Sequence, residues 1–159
     1  MYARWGETSD MLTIVELQDF LRNSNADFEI LLHEMPIICM KDAAKYFDIK
    51  KASPVFIMDT GQSLLAFLAS ASSEKMNFKE IGKSLGYSKF KLANAGKIQE
   101  ITGYVVGAIP LIGHNLPCIF DKKLLEHDYI YGGSGDLYHT LKITPKDTMI
   151  LNNVIHYVE

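Results

Sequence analysis

Val55-Phe56-Ile57-Met58-Asp59-Thr60-Gly61-Gln62-Ser63-Leu64-Leu65-Ala66-Phe67-Leu68-Ala69 holds two short apolar runs, Val55 to Asp59 and Ser63 to Ala69. They are joined by a turn at Thr60-Gly61, which is the pattern of a β-hairpin. Two strands joined this tightly must be antiparallel, so the chain is not a regular array of parallel strands and crossover helices. Outward from the hairpin the pattern repeats. Phe28 to His33, Lys89 to Leu92, Pro117 to Asp121, Tyr129 to Tyr131, Leu137 to Ile143 and Val154 to Val158 all read as short extended segments.

Helices fall between them at intervals. Thr13 and Glu16 fit a capping box ahead of the stripe Ile14, Leu17, Phe20 and Leu21, which ends near Asn23-Ser24-Asn25. Lys41 to Phe47 and Ala95 to Ile101 read as short helices. Asn77 is the N-cap expected for Phe78 to Leu85, with Gly86 as the stop, and Thr144-Pro145 opens a last helix. The expected fold is α+β, a single domain with one mixed, largely antiparallel and half-barrel-like sheet flanked by helices. Residues 1–10 read as a leader or flexible N-terminus, with Met11 a second candidate start, and 11–159 as the domain. The chain has 159 residues and 48% hydrophobic content, enough for a sizeable core.

No apolar run reaches the roughly 18 residues of a membrane span, and the N-terminus lacks the pattern of a secretory signal, so a cytoplasmic location is expected. Cys39 and Cys118 sit among apolar neighbours with no ligand spacing, so no metal and no cofactor are expected. Buried reduced thiols are the plain reading, which leaves a disulfide between them open. The net charge of −3 argues against a strong, sequence-independent nucleic-acid binder. The charge is uneven, however. Residues 1–35 carry two arginines against seven acids, whereas Lys75 to Lys97 carries six lysines against Glu80 alone. A smaller group, Lys41, Lys45, Lys50 and Lys51, is diluted by Asp42 and Asp48. Such runs are most often a solvated surface.

Thr102-Gly103-Tyr104-Val105-Val106-Gly107-Ala108-Ile109-Pro110-Leu111-Ile112-Gly113 has neither helical nor strand periodicity. Its glycines permit backbone conformations that place N–H groups toward a carbonyl or phosphate oxygen, and Pro110 stiffens it. On composition alone a core crossover is the commoner explanation.

Four blocks, taken in order, resemble the YbaK family, free-standing relatives of the editing domain inserted in bacterial prolyl-tRNA synthetases. They are Leu31-Leu32-His33-Glu34 with Lys41-Asp42-Ala43-Ala44; Asn77 to Ile81 with Leu85-Gly86; the glycine loop; and Phe120-Asp121 with Leu124, Tyr131-Gly132-Gly133 and Ile143 to Asp147. The resemblance runs from about Leu12 to Val158. It implies hydrolysis of the ester of a mischarged aminoacyl-tRNA in trans. Gly107 and Ala108 become the backbone donors to the oxyanion or the groups that place the carbonyl. Ile109, Pro110 and Leu111 become pocket walls that sieve the acyl side chain. His33, His114 and Gly133 are further substrate-binding candidates, His114 ahead of His33, while His127, His139 and His156 read as structural or exposed. Lys79, Lys83, Lys89 and Lys91 are the candidates for tRNA phosphates. Aminoacyl-tRNA is the implied partner, with an aminoacyl-tRNA synthetase as a second.

Two positions depart from the family pattern. Where relatives place a lysine at the start of the first hairpin strand, counting back from the hairpin glycine gives Ser53. Lys51 (or Lys50) takes that catalytic place only after a register shift of two or three residues. In the loop, Pro110 stands three after Gly107, and Leu111 occupies the usual proline position. The alternative reading is a catalytically silent module that binds an aminoacyl or nucleotide-like ligand, or a synthetase. No Ser or Cys nucleophile signature is present, so an unrelated esterase is the weakest reading.

Overall fold

The computed structural model describes residues 11–72 and 77–159, so the proposed leader at 1–10 and Lys75 lie outside the described residues. In chain order the elements are α1 (Ile14–Asn23), β1 (Phe28–Leu32), α2 (Met40–Ala43), a 3-10 turn (Ile49–Lys51), β2 (Val55–Asp59) and β3 (Leu64–Leu68). They continue with α3 (Phe78–Ser84), β4 (Lys91–Leu92), α4 (Ala95–Thr102), β5 (Cys118–Asp121) and a second 3-10 turn (Lys122–Glu126). The last are β6 (Ile130–Gly133), β7 (His139–Ile143), α5 (Pro145–Leu151) and β8 (Val154–Val158).

The strands form two sheets that do not close into a barrel. One is three-stranded and antiparallel, in the order β1-β7-β6; the other is five-stranded, in the order β4-β2-β3-β5-β8. The hairpin β2–β3 is antiparallel, Val55 opposite Leu68 and Asp59 opposite Leu64, with Thr60 to Ser63 as the connection. β5 and β8 add to it in parallel, which makes this sheet mixed. The single sheet expected from the sequence is therefore divided in two, and the α+β class stands.

Local signals account for the element ends. Thr13 and Glu16 make both reciprocal bonds of the capping box at α1. Asn77 and Asn94 cap α3 and α4 by accepting from the N–H groups of Glu80 and Lys97, and Thr144 caps α5 with Pro145 at its first turn. The apolar run of β3 is continuous because both of its faces are covered. Leu64, Ala66 and Leu68 join the main core with Leu17, Leu21, Phe120 and Leu141, while Leu65, Phe67 and Ala69 pack into a second cluster with Met58, Phe90 and Ile119 under α3. Period-two alternation thus divides one strand between two cores.

The two sheets meet at Ala52–Pro54. Ala52 bridges Tyr131 of β6, and the Ser53 N–H donates to the Tyr131 carbonyl at 2.8 Å. On the other side Ala71 and Ala69 donate to the carbonyls of Ala52 and Pro54, both at 3.0 Å. This junction positions the site.

Candidate functional site

A cavity of about 330 Å³ opens at the junction, near the lower end of the range typical of small-molecule sites, roughly 300–1,000 Å³. Its floor is Ala52, Ser53, Pro54, Val55 and Phe56; α2 and the turn after it add Met40, Ala43 and Phe47. Those three fall at positions i, i+3 and i+7, one face of a helical turn. Tyr131, Gly132 and Gly133 of β6 and Thr140 of β7 form the facing wall, and Val106, Gly107 and Ile109 close one side. Phe47 and Tyr131 stack with their ring centroids 4.7 Å apart and planes within 8°. The lining is mainly apolar, with a few polar groups among it, as in a small-molecule site.

The glycine loop is both a core crossover and a site wall. Tyr104 is buried and its hydroxyl accepts from the Leu12 N–H at 2.8 Å, and Ala108 to Ile112 are also buried. Between them Val105, Val106 and Gly107 are exposed. Gly107 has φ +95°, a left-handed conformation that glycine adopts without strain. Among the described residues its N–H has no hydrogen-bond partner. The Ala108 N–H is not free: it donates to the Val105 carbonyl at 3.1 Å and closes the turn that presents Gly107. Of the expected pair of donors, Ala108 instead holds the turn, and the Gly107 N–H is the one without a partner among the described residues.

The other expected residues divide. Ile109 and Gly133 line the cavity together with Gly107. Gly133 is required there by close approach, since a Cβ on it would stand 2.0 Å from the Ile109 carbonyl oxygen. Pro110 and Leu111 do not wall the cavity. Leu111 is fully buried against Gly132, and its N–H donates to the Gly133 carbonyl at 3.0 Å. His114 is not at the cavity either. It lies in the core, where its Nδ1 accepts from the Leu116 N–H at 3.1 Å and its Nε2 lies 3.5 Å from Cys118 Sγ. Burial pushes its imidazole down to about 4 and pushes the Cys118 thiol far up. Both groups are neutral at pH 7, so this buried contact with Asn152 is structural rather than a nucleophile–base pair.

Lys51 turns outward. Its Nζ lies 3.0 Å from Asp128 Oδ1, and that hydrogen bond, ahead of the Coulombic attraction, raises the lysine and lowers the carboxyl. It does not line the cavity, so the register shift that would put a lysine into the site does not occur. Ser53 occupies the place instead. It is 2% exposed, and its Oγ has no hydrogen-bond partner among the described residues.

His33 stands one layer behind the wall: its ring lies 4.2 Å from that of Tyr46 and its Nε2 is 2.6 Å from Thr140 Oγ1. Lys79, Lys83, Lys89 and Lys91 are all exposed. Cys39, expected to be buried, is exposed on the cavity rim, and both cysteines are free. His139, expected to be structural or exposed, lines the cavity with Asp136, 3.6 Å from it. Phe47, Tyr131 and Thr140 were not legible as site residues; the β6–β7 register brings Tyr131 and Thr140 to the site, and Phe47 reaches it by stacking on Tyr131. Among the described residues no three His, Cys, Asp or Glu side chains group as metal ligands, and no helix is long and apolar enough to cross a membrane.

An α+β domain with an apolar, acyl-sized cavity faced by glycine-bearing backbone defines the class. A family model for the aminoacyl-tRNA editing domain matches residues 37–150, and the chain belongs to that family. Solved structures share the fold at low identity. The hypothetical protein APE2540 is 19% identical with a TM-score of 0.75, over 91% of this chain and 97% of that one. A protein described as a candidate trans-editing enzyme for prolyl-tRNA synthetase is 17% identical with a TM-score of 0.74, over 92% and 98%. A scaffold protein used for grafting linear epitopes is 16% identical with a TM-score of 0.76, over 93% and 97%.

Proposed function

We propose that this protein hydrolyses the ester of mischarged aminoacyl-tRNA in trans, in the cytoplasm, releasing a small amino acid and free tRNA. The observation that carries the reading is Gly107, exposed and with its N–H unpaired among the described residues, at the edge of an apolar cavity of about 330 Å³. Ester hydrolysis passes through a tetrahedral oxyanion, and a preset backbone donor is worth most where water is excluded. Ala108 holds the turn, while Ile109 and Gly133 shape the acyl subsite.

The lysines support the same reading. Phe78 at the start of α3 meets Phe56 of the cavity floor edge-on at 5.4 Å. Lys79 and Lys83 fall four apart on one helical face; Lys89 follows beside Gly61, and Lys91 pairs with Asp59 at the far end of β2. These four exposed lysines suit the phosphates of a tRNA whose 3′ end enters the cavity. A synthetase that hands over the tRNA is a compatible partner.

The second reading, a silent binding module, is favoured by Ser53 standing where relatives carry a lysine and by Lys51 held on Asp128. A deacylation assay over a panel of mischarged tRNAs separates the two. The deacylase releases amino acid from at least one tRNA, and Gly107→Ala, which keeps the N–H but strains the left-handed turn that aims it, lowers kcat; complete loss of one oxyanion donor costs about 10²–10³-fold. Lys51→Ala leaves kcat unchanged. Release at the spontaneous rate on every substrate refutes the deacylase.

A further inference from the structure

We propose that Thr140 and His33 form a proton relay that activates the attacking water in the cavity; the relay rests on the deacylase reading above. Thr140 is a side-chain hydroxyl of the cavity wall that already has a base on it, with His33 Nε2 at 2.6 Å. That separation is the hydrogen-bond reach expected of a hydroxyl and its base. The surroundings hold both groups in place. Thr140 is opposite Leu31 of β1 and Gly133 of β6, and the His33 ring packs on Tyr46.

Gly133, paired with Thr140 across β6 and β7, lets the Ile109 main chain pack close against that strand. Thr140 and Gly107 line the same cavity, which brings the hydroxyl and the Gly107 N–H to one substrate site. His33 must be unprotonated to act. Burial, and secondarily the neighbouring His139, lower its affinity for a proton, which keeps it neutral at pH 7. The titratable side chains around it are Tyr46 on the turn after α2 and His139 on β7, with Asp136 beyond His139.

In the step, water oxygen bonds to the ester carbonyl carbon. One water proton passes to Thr140 Oγ1 as the Thr140 proton passes to His33 Nε2. When the tetrahedral intermediate collapses, the bond from that carbon to the ribose oxygen breaks. The proton then returns from His33 through Thr140 to the leaving ribose oxygen, so His33 and Thr140 end as they began. His33 acts through Thr140 and is a positioning and proton-storing residue; Thr140 is the group that touches the reacting water.

The test is steady-state deacylation by the full chain on the mischarged tRNA that wild type cleaves best. Thr140→Val is isosteric and removes the hydroxyl. It lowers kcat about 100-fold or more, the lower end for acid–base catalysis, with KM little changed. Thr140→Ser restores most of kcat. His33→Gln keeps a hydrogen bond to Thr140 and cannot store a proton. It falls as far as Thr140→Val, loses the acid limb of the wild-type pH–kcat profile, and adds nothing in the double variant. If Thr140→Val fails to fold, His33→Gln carries the same test. Full kcat in a folded Thr140→Val or His33→Gln protein, or an acid limb that survives in His33→Gln, overturns the relay and leaves the deacylase reading intact. A wild type that cleaves no aminoacyl-tRNA removes the reading and the relay together.

Discussion

At the scale of single residues, the histidines show how burial decides chemistry. His114 follows a glycine in the most distinctive loop, so by sequence it is a natural pocket residue, yet it is 2% exposed and accepts from the backbone at Leu116. A buried imidazole resists protonation because the charge would leave water. The sign follows directly. The unfolded chain binds this proton near the ordinary value of 6.5 and the folded one only near 4, so stability is complete above 6.5 and is lost as pH falls toward 4. The difference is on the order of 3 kcal/mol. His33, also lowered, adds in the same direction. Urea unfolding at a series of pH values from 4 to 7 checks this. His114→Asn, whose side chain still accepts from the Leu116 N–H, has a lower plateau and a shallower slope than wild type. An unchanged slope means that His114 is not the group that titrates.

At the scale of elements, the site depends on where the glycine loop crosses β6. Gly133 and Gly107 are both glycines of the cavity, with different requirements. A Cβ on Gly133 would meet the Ile109 carbonyl at 2.0 Å, main chain against main chain, whereas one on Gly107 meets nothing within 4 Å. Gly133→Ala therefore forces the loop off β6 and costs about 1–3 kcal/mol or more. Gly107→Ala costs only the strain of a left-handed alanine, about 1–2 kcal/mol. Thermal melts of the two variants rank them, at roughly 2–4 °C per kcal/mol for a domain of this size. Equal melts would mean that the crossing is not tight. The sequence made these glycines conspicuous but not their neighbours. The hairpin, the caps of α1, α3 and α5, and the loop glycines are readable because each has a local cause: a turn type, a side chain reaching its own backbone, a positive φ. Thr140, Tyr131 and Phe47 have none. They become site residues because β6 pairs with β7 in one register, Ala52 bridges Tyr131 and Phe47 stacks on Tyr131, which are contacts between distant segments. Lys51 failed as a site residue for the same reason, since its partner Asp128 lies 77 positions away.

At the scale of the whole molecule, net charge and function point in opposite directions until the charge is placed. A chain of net charge −3 repels a polyanion at long range, and seven acids fall within residues 1–35. The lysines instead follow the second core: α3 buries Phe78 and Ile81 against β2 and β3, which leaves Lys79 and Lys83 outward, and Phe90 turns in under Gly82 between Lys89 and Lys91. Burial of the apolar positions thus forces these cations onto one surface beside β2. Each phosphate neutralised by a lysine releases counterions and adds about 0.7–0.9 to the slope of log K against log salt. With all four engaged, the Lys79→Ala, Lys83→Ala, Lys89→Ala, Lys91→Ala variant binds tRNA with a slope shallower by about 3. Its kcat at saturating tRNA stays at the wild-type value, because none of the four touches the cavity. Lys146→Ala, an exposed lysine on α5, controls for net charge alone and changes the slope little. Filter binding of a non-hydrolysable aminoacyl-tRNA between low and physiological salt measures the slope. A fourfold variant with the wild-type slope would place the tRNA on another face, and Lys41, Lys45 and Lys50 beside α2 would be next to test.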